Sequence, residues 1–138
     1  MPVTHPDLGF DGPIPFPRQY LDYFQLFNAR DFFEAHEVLE DLWIMETSPA
    51  RNYYKGLIMV AVAILHWQRG NTAGAYRLYR DGMSYLEPYP ATYEGFDLGP
   101  FRDRLRDLFR PLAADPKGTP PAPPEGDLPV LELRAVAG

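Results

Sequence analysis

The chain has 138 residues, a formal net charge of −6, 46% hydrophobic residues and no cysteine. That length fits one domain able to bury a real core, and the acidic balance, with no basic run of five or more residues, argues against nucleic acid as a partner. The absence of cysteine removes disulfides, thiol catalysis and Cys-ligated metal sites together, and it is compatible with a cytoplasmic protein.

Residues 1–16 carry Pro2, Pro6, Pro13 and Pro15 with no periodic pattern, and read as an extended N-terminal arm whose Phe10 and Phe16 pack on the body. The stretch from Met1 to Asp7 has neither a basic nor an apolar signal region, so no signal peptide is expected. A helical bundle domain follows over 17–113. Pro17 suits a first helical position, and a first helix to about residue 28 buries Tyr20, Phe24 and Phe27 or Leu21. Asn28-Ala29-Arg30 turns the chain, and Asp31 caps the next helix, with Glu34 at capping-box spacing. Stepping 100° per residue, Phe32, Ala35, Leu39, Leu42 and Trp43 form one apolar stripe. His36 falls within it, between Phe32 and Glu40 and close to Trp43.

Thr47-Ser48-Pro49 ends that helix and starts a third, with Ser48 as cap. This one is apolar around most of its circumference, so it is expected at the centre of a bundle. Its longest apolar run, Leu57 to Leu65, is too short to cross a bilayer, and no membrane partner is expected. Its polar arc holds Arg51, Lys55, Arg69 and, at the margin, His66. Gly56 and Ala63 share a face that invites close helix contact. Gly70 closes the helix, and Asn71 or Thr72 caps a fourth, striped by Ala75, Leu78, Tyr79, Gly82, Tyr85 and Leu86. After a loop with Gly95 and Gly99 comes a fifth helix, with Phe101, Leu105, Leu108, Phe109 and Leu112 on one side. Its arginines and aspartates form a solvated face. The pattern predicts helices within 17–28, 31–46, 49–69, 71–87 and 100–113, and hence an all-α, compact antiparallel bundle of about five helices.

Residues 114–138 read as a proline-rich linker and C-terminal extended arm. Leu128 to Val136 is apolar enough to lie on the body, yet the segment lacks a periodic face and is expected to contribute little to folding. A weak internal repeat places Asn28–His36 against Gln68–Tyr76 at an offset of 40. Two similar hairpins resemble a tetratricopeptide-like stack, but two units are few for a solenoid, which favours a closed bundle.

Phe27-Asn28, the run Phe33-Glu34-Ala35-His36-Glu37-Val38-Leu39-Glu40 with Trp43, Gly56-Leu57-Ile58, His66, Gly70-Asn71 and Gly74-Ala75 together resemble the bacterial and archaeal DUF309 family over residues 20–86. The resemblance implies an all-α bundle of antiparallel helices and leaves the activity undefined. Its motif positions carry over to His36, Glu37, Glu40, Trp43, Gly56, His66, Asn71 and Gly74. Family members commonly have glutamine where this chain has Met59.

Two readings of the chemistry follow. In the first, the chain is a non-catalytic binding or interaction domain. Its inter-helix polar cluster of His36, Glu37, Glu40, Trp43, His66 and Asn71 is structural or lines a small-ligand pocket, with His36 hydrogen-bonded to Glu40, Tyr54 or Tyr79. The second is a metal-dependent enzyme, most simply a hydrolase. His36 and Glu40 stand four apart, as the two histidines of H-E-x-x-H do, His66 supplies a third ligand to a divalent metal, and Glu37 acts as base. A small molecule or a protein partner suits the first reading, and a homo-oligomer is compatible with both.

Overall fold

A computed structural model describes residues 16–115 and 122–133. Five helices dominate it: α1 (Arg18–Asn28), α2 (Phe32–Met45), α3 (Ala50–Gln68), α4 (Thr72–Leu86) and α5 (Leu98–Ala114). The predicted helices are therefore found, in an all-α fold. The expected N-terminal arm, including the packing of Phe10, lies outside the described residues apart from Phe16, whose ring meets Tyr20 at 5.5 Å. Among the described residues, no helix is long and apolar enough to cross a membrane.

The offset-40 repeat is real at the level of hydrogen bonds. Helix α1 ends with Asp31 N–H donating to the Leu26 carbonyl and Arg30 N–H to that of Phe27. Helix α3 ends with Asn71 N–H donating to His66 and Gly70 N–H to Trp67. Each pair is the double bond of a left-handed C-cap. The residue that supplies the positive φ is Gly70 (83°) in one turn and Arg30 (67°) in the other. The next residue caps the following helix: the Asp31 carboxylate accepts from Glu34 N–H at 3.2 Å and the Asn71 amide from Gly74 N–H at 3.0 Å. Two short turns of one design thus make two helical hairpins. Between them, the Ser48 hydroxyl accepts from Ala50 N–H at 3.2 Å, as expected for its cap role.

Helix α3 buries residues all around, from Ala50 and Tyr53 to Ile64 and Trp67. It crosses α4 where glycines let the backbones approach. A Cβ on Gly82 would stand 3.3 Å from the Gly56 carbonyl oxygen, and one on Gly56 would stand 2.6 Å from the buried Leu86 side chain. The close contact expected at Gly56 is present. The α4 stripe is rotated slightly from the expected one: Met83 is buried and Tyr85 is exposed. The α5 stripe is buried throughout, from Phe101 to Leu112. Its charged face is partly committed. Arg102 donates to the Leu86 and Tyr89 carbonyls at 2.8 and 3.0 Å, satisfying the end of α4, and Arg106 pairs with Asp103 and Glu87.

Two features were not expected. Strands β1 (Thr92–Tyr93) and β2 (Phe96–Asp97) form a hairpin in which Tyr93 pairs with Phe96. Its two turn residues, Glu94 and Gly95, both have positive φ, 48° and 72°, as a two-residue hairpin turn requires. Burial of Tyr20 against α3 helps to hold it, since the Tyr20 hydroxyl donates to the Glu94 carbonyl at 2.9 Å. The second feature corrects the expectation that the C-terminal segment is marginal to the body. Leu128, Leu131 and Leu133 are each 2% exposed, and Leu133 bridges Phe96. The sequence lacks a periodic face there because the strip buries three leucines at irregular spacing rather than a helical or strand face.

Deleting residues 122–138 uncovers these leucine sites. Each buried leucine is worth roughly 1.5–3 kcal/mol, so the truncated chain should lose several kcal/mol in denaturant unfolding. An unchanged midpoint would show the strip to be passive. A second prediction concerns tyrosines. Burial holds the hydroxyls of Tyr20, Tyr23 and Tyr53 well above the ordinary tyrosine range, with like-charge neighbours adding to the effect at Tyr20. A raised folded-state pKa means that this stability is complete below the unfolded value of about 10 and is lost as pH climbs above it. Alkaline titration should show exposed tyrosines ionising first, and the buried ones only together with loss of helical circular dichroism. Ionisation of all nine tyrosines with helicity intact would contradict this.

Candidate functional site

Helix α2 carries the polar groups that its own packing does not satisfy. Its buried line is Phe32, Ala35 and Leu39, and His36 stands at the edge of that line. The imidazole is half-buried and meets the edge of Phe33 at 5.2 Å between ring centroids. Its Nδ1 is fully buried and has no hydrogen-bond partner among the described residues. The expected bond to Glu40, Tyr54 or Tyr79 is therefore not made through this nitrogen. Glu40 lies one turn on, on the outer side of the stripe, and is exposed to water, as is Glu37. Tyr79 instead stacks on Phe109 at 4.4 Å. Burial of Tyr54 raises its hydroxyl pKa, with the carboxylates of Glu94 and Glu46 contributing.

Trp43 lies seven residues after His36 on the same face of α2, about 10 Å along the axis. Its indole Nε1 is likewise buried without a partner among the described residues. Two cations from α3 lie over its ring: the Arg51 guanidinium carbon at 4.3 Å and the Lys55 ammonium at 4.4 Å from the centroid. Both distances are within the range of cation–π attraction. Four residues apart on α3, these cations face α2 of the other hairpin, where Trp43 offers the electron-rich surface. Glu37 is exposed, a solvated carboxylate, and makes no ion pair with Arg51 or Lys55. From sequence, Arg51 and Lys55 are placed only on a polar arc. The available signal was two cations one turn apart on an otherwise apolar helix.

The other candidates do not join this group. The His66 ring bonds the Asn71 side-chain amide at 3.0 Å, and Asn71 also caps α4. Both belong to the α3–α4 turn. The proposed metal ligands His36, Glu40 and His66 are not brought together. Among the described residues, no group of three or more His, Asp or Glu side chains is placed to hold a metal ion. The reason is positional: His66 is tied to a turn, and the Glu40 carboxylate reaches water rather than the His36 ring. Clefts of about 480 and 250 Å³ open elsewhere, along α5 and the C-terminal strip.

The chain is thus a small all-α domain of two capped helical hairpins with donor-rich, unsatisfied groups where α2 meets α3. Residues 20–78 match the family DUF309, a domain of unknown function. Similar proteins include the uncharacterised YpuF of Bacillus subtilis (strain 168), 40% identical over 97 residues that cover 69% of this chain and 55% of YpuF. An uncharacterised protein of Aquifex aeolicus (strain VF5) is 28% identical over 95 residues, covering 68% of this chain and 28% of its own length. The chain spans about half the length of the first and about a quarter of the second.

An orphaned buried donor costs roughly 1–3 kcal/mol. Trp43→Phe removes that donor and keeps an aromatic face for the cations, so it should change unfolding stability by less than about 1 kcal/mol. Trp67→Phe, at a fully buried position, should cost roughly 1–3 kcal/mol. Equal losses in the two variants would mean that Trp43 is ordinary core. In the same assay a chelator should leave the wild-type melting temperature unchanged. A fall on chelation would restore the metal reading.

Proposed function

We propose that the chain is a non-catalytic binding domain and that the place where α2 meets α3 recognises an anionic hydrogen-bond acceptor on its ligand. The observation that carries this is Trp43. Its Nε1–H can only donate, it is buried with no acceptor among the described residues, and two cations lie over the same ring. A carboxylate or phosphate group beside this ring would offset the repulsion between Arg51 and Lys55 and, once the packing over Nε1 opens, accept from the indole. A charge-assisted hydrogen bond of this kind is about twice as strong as a neutral one. The His36 imidazole, two turns away, offers a second unsatisfied nitrogen to a longer ligand, as donor or acceptor according to its tautomer.

This reading needs no nucleophile, general base or metal, and nothing in the geometry favours the hydrolase alternative. The net charge of −6 argues against nucleic acid as the source of the phosphate. A cysteine-free, cytoplasmic protein with a small-molecule or peptide ligand is the setting we propose.

The two tryptophan indole N–H resonances in a nitrogen-15-labelled sample test the proposal directly. Titration with acetate and with inorganic phosphate should shift the Trp43 signal saturably and leave that of Trp67 in place. Replacing both Arg51 and Lys55 by glutamine should weaken the effect by about tenfold or more, the loss of one charged hydrogen bond. If the Trp43 signal does not respond to either anion, the proposal fails.

A further inference from the structure

Helix α2 is less covered than its composition calls for. Nine of its fourteen residues are apolar, yet only Phe32, Ala35 and Leu39 are buried. A helix with apolar residues around most of its circumference belongs inside a fold, as α3 does with its eleven buried residues. Among the described residues, five large hydrophobic side chains are exposed, and three of them are on α2: Phe33 at 44%, Ile44 at 63% and Met45 at 80%. Val38, Leu42 and Trp43 are half-buried. Single exposed apolar residues are ordinary, but a cluster of them on one helix marks an interaction surface.

The charges on this surface narrow the choice of partner. Glu34, Glu37, Glu40 and Asp41 are exposed on α2, and the helix has no lysine or arginine. Such a row repels an anionic membrane surface and nucleic acid alike. Cations stand on its flank: Arg51 and Lys55 of α3, both half-buried, lie beside the C-terminal end of α2, over the Trp43 ring. One surface therefore carries exposed apolar side chains and both signs of charge, at different places along α2.

That arrangement is self-complementary. Phe33, Glu37, Glu40 and Ile44 follow one line of the helix, at i, i+4, i+7 and i+11, with Phe33 and Ile44 about 16 Å apart along the axis. A two-fold axis through the middle of this line exchanges its ends. It sets Phe33 of one copy against Ile44 of the other, twice. It also carries Arg51 and Lys55 of one copy towards Glu34 and Glu37 of the other, twice. Without those cations the acids of the two helices would only repel. An isologous interface needs this kind of surface, and complementary charge fixes its register.

We propose that the outer face of α2 is an interface between two copies of this chain, an antiparallel α2–α2 pair in which the α3 cations of each copy meet the carboxylates at the start of α2 in the other. The inference rests on the proposed anion site for one thing, the positive charge of Arg51 and Lys55; the anion here is a glutamate of the second copy.

Sedimentation of the full chain tests this. At about 100 μM, above the Kd of an interface of ordinary size, the wild type should sediment as a dimer. Ile44→Asn, at an exposed position, should weaken association by about tenfold or more and leave the cooperative melt in place. Two charge-reversed chains make the sharper test, one with Arg51→Glu and Lys55→Glu, the other with Glu34→Lys and Glu37→Lys. Each should be monomeric alone. Their equimolar mixture should form a dimer, because both halves of the mixed interface regain opposite charges. A monomeric wild type overturns the proposal, and so does a dimer that Ile44→Asn does not weaken or a mixture that stays monomeric. Should a charge-reversed chain fail to fold, wild type and Ile44→Asn decide. The Ile44→Asn chain keeps Trp43, Arg51 and Lys55, so phosphate titration of its Trp43 indole signal judges the anion site apart from the dimer.

Discussion

Helix α3 must be covered from every side, because eleven of its nineteen residues are buried and they point in all directions. The positions of the other elements follow from that requirement. Helix α1 brings Tyr20 and Tyr23, whose hydroxyls meet Tyr53 and the Leu57 carbonyl at 2.6 and 2.7 Å. Helix α4 comes close at the Gly56–Gly82 crossing, and α5 places Phe109 against Trp67 at 5.1 Å. With so much of its surface spent on the core, α3 has few places for charge. Arg51 and Lys55 occupy one of them and lie over Trp43 rather than in bulk water. The packing demand that organises the fold therefore also builds the cation-rich site.

The repeated turn explains how so short a chain makes two hairpins of the same shape. A left-handed C-cap followed at once by an Asx cap reverses the chain with its orphan backbone groups satisfied. The two copies differ where a side chain has been given another task. Gly70 only turns the chain, whereas Arg30 turns it under strain and holds the C-terminal strip. Asn71 only caps and steadies His66. Strain kept at a residue with a long, charged side chain is a sign of use beyond folding.

Among the described residues, buried side-chain polar atoms left without partners are on α2, while the two clefts lie along α5. The two regions differ in character. At Trp43 and His36, single ring nitrogens lack partners inside otherwise close packing. The strip has its main chain held by Asn28 and Arg30, and a cleft lies between it and α5.

Local chemistry was enough to determine the helices. Apolar periodicity, with Asp31, Ser48 and Asn71 as caps and Gly70 as a stop, places all five, and the offset-40 repeat is visible in the residues of its turns. His36 and Trp43 could be singled out because a polar ring in an apolar stripe needs a partner wherever it ends up. Which partners they have was beyond sequence reasoning. Periodicity gives a side chain its direction around one helix but not the register of the next, and so it could not put Arg51 and Lys55 over Trp43 or keep His66 away from His36. The hairpin at Glu94-Gly95 was hidden because its strands are two residues each, too short for alternation to register. Tertiary structure alone decided the fate of the C-terminal strip. Its anchors, Asn28 and Arg30, stand about a hundred residues away along the chain, and contacts to main-chain atoms leave no pattern in the side chains they hold.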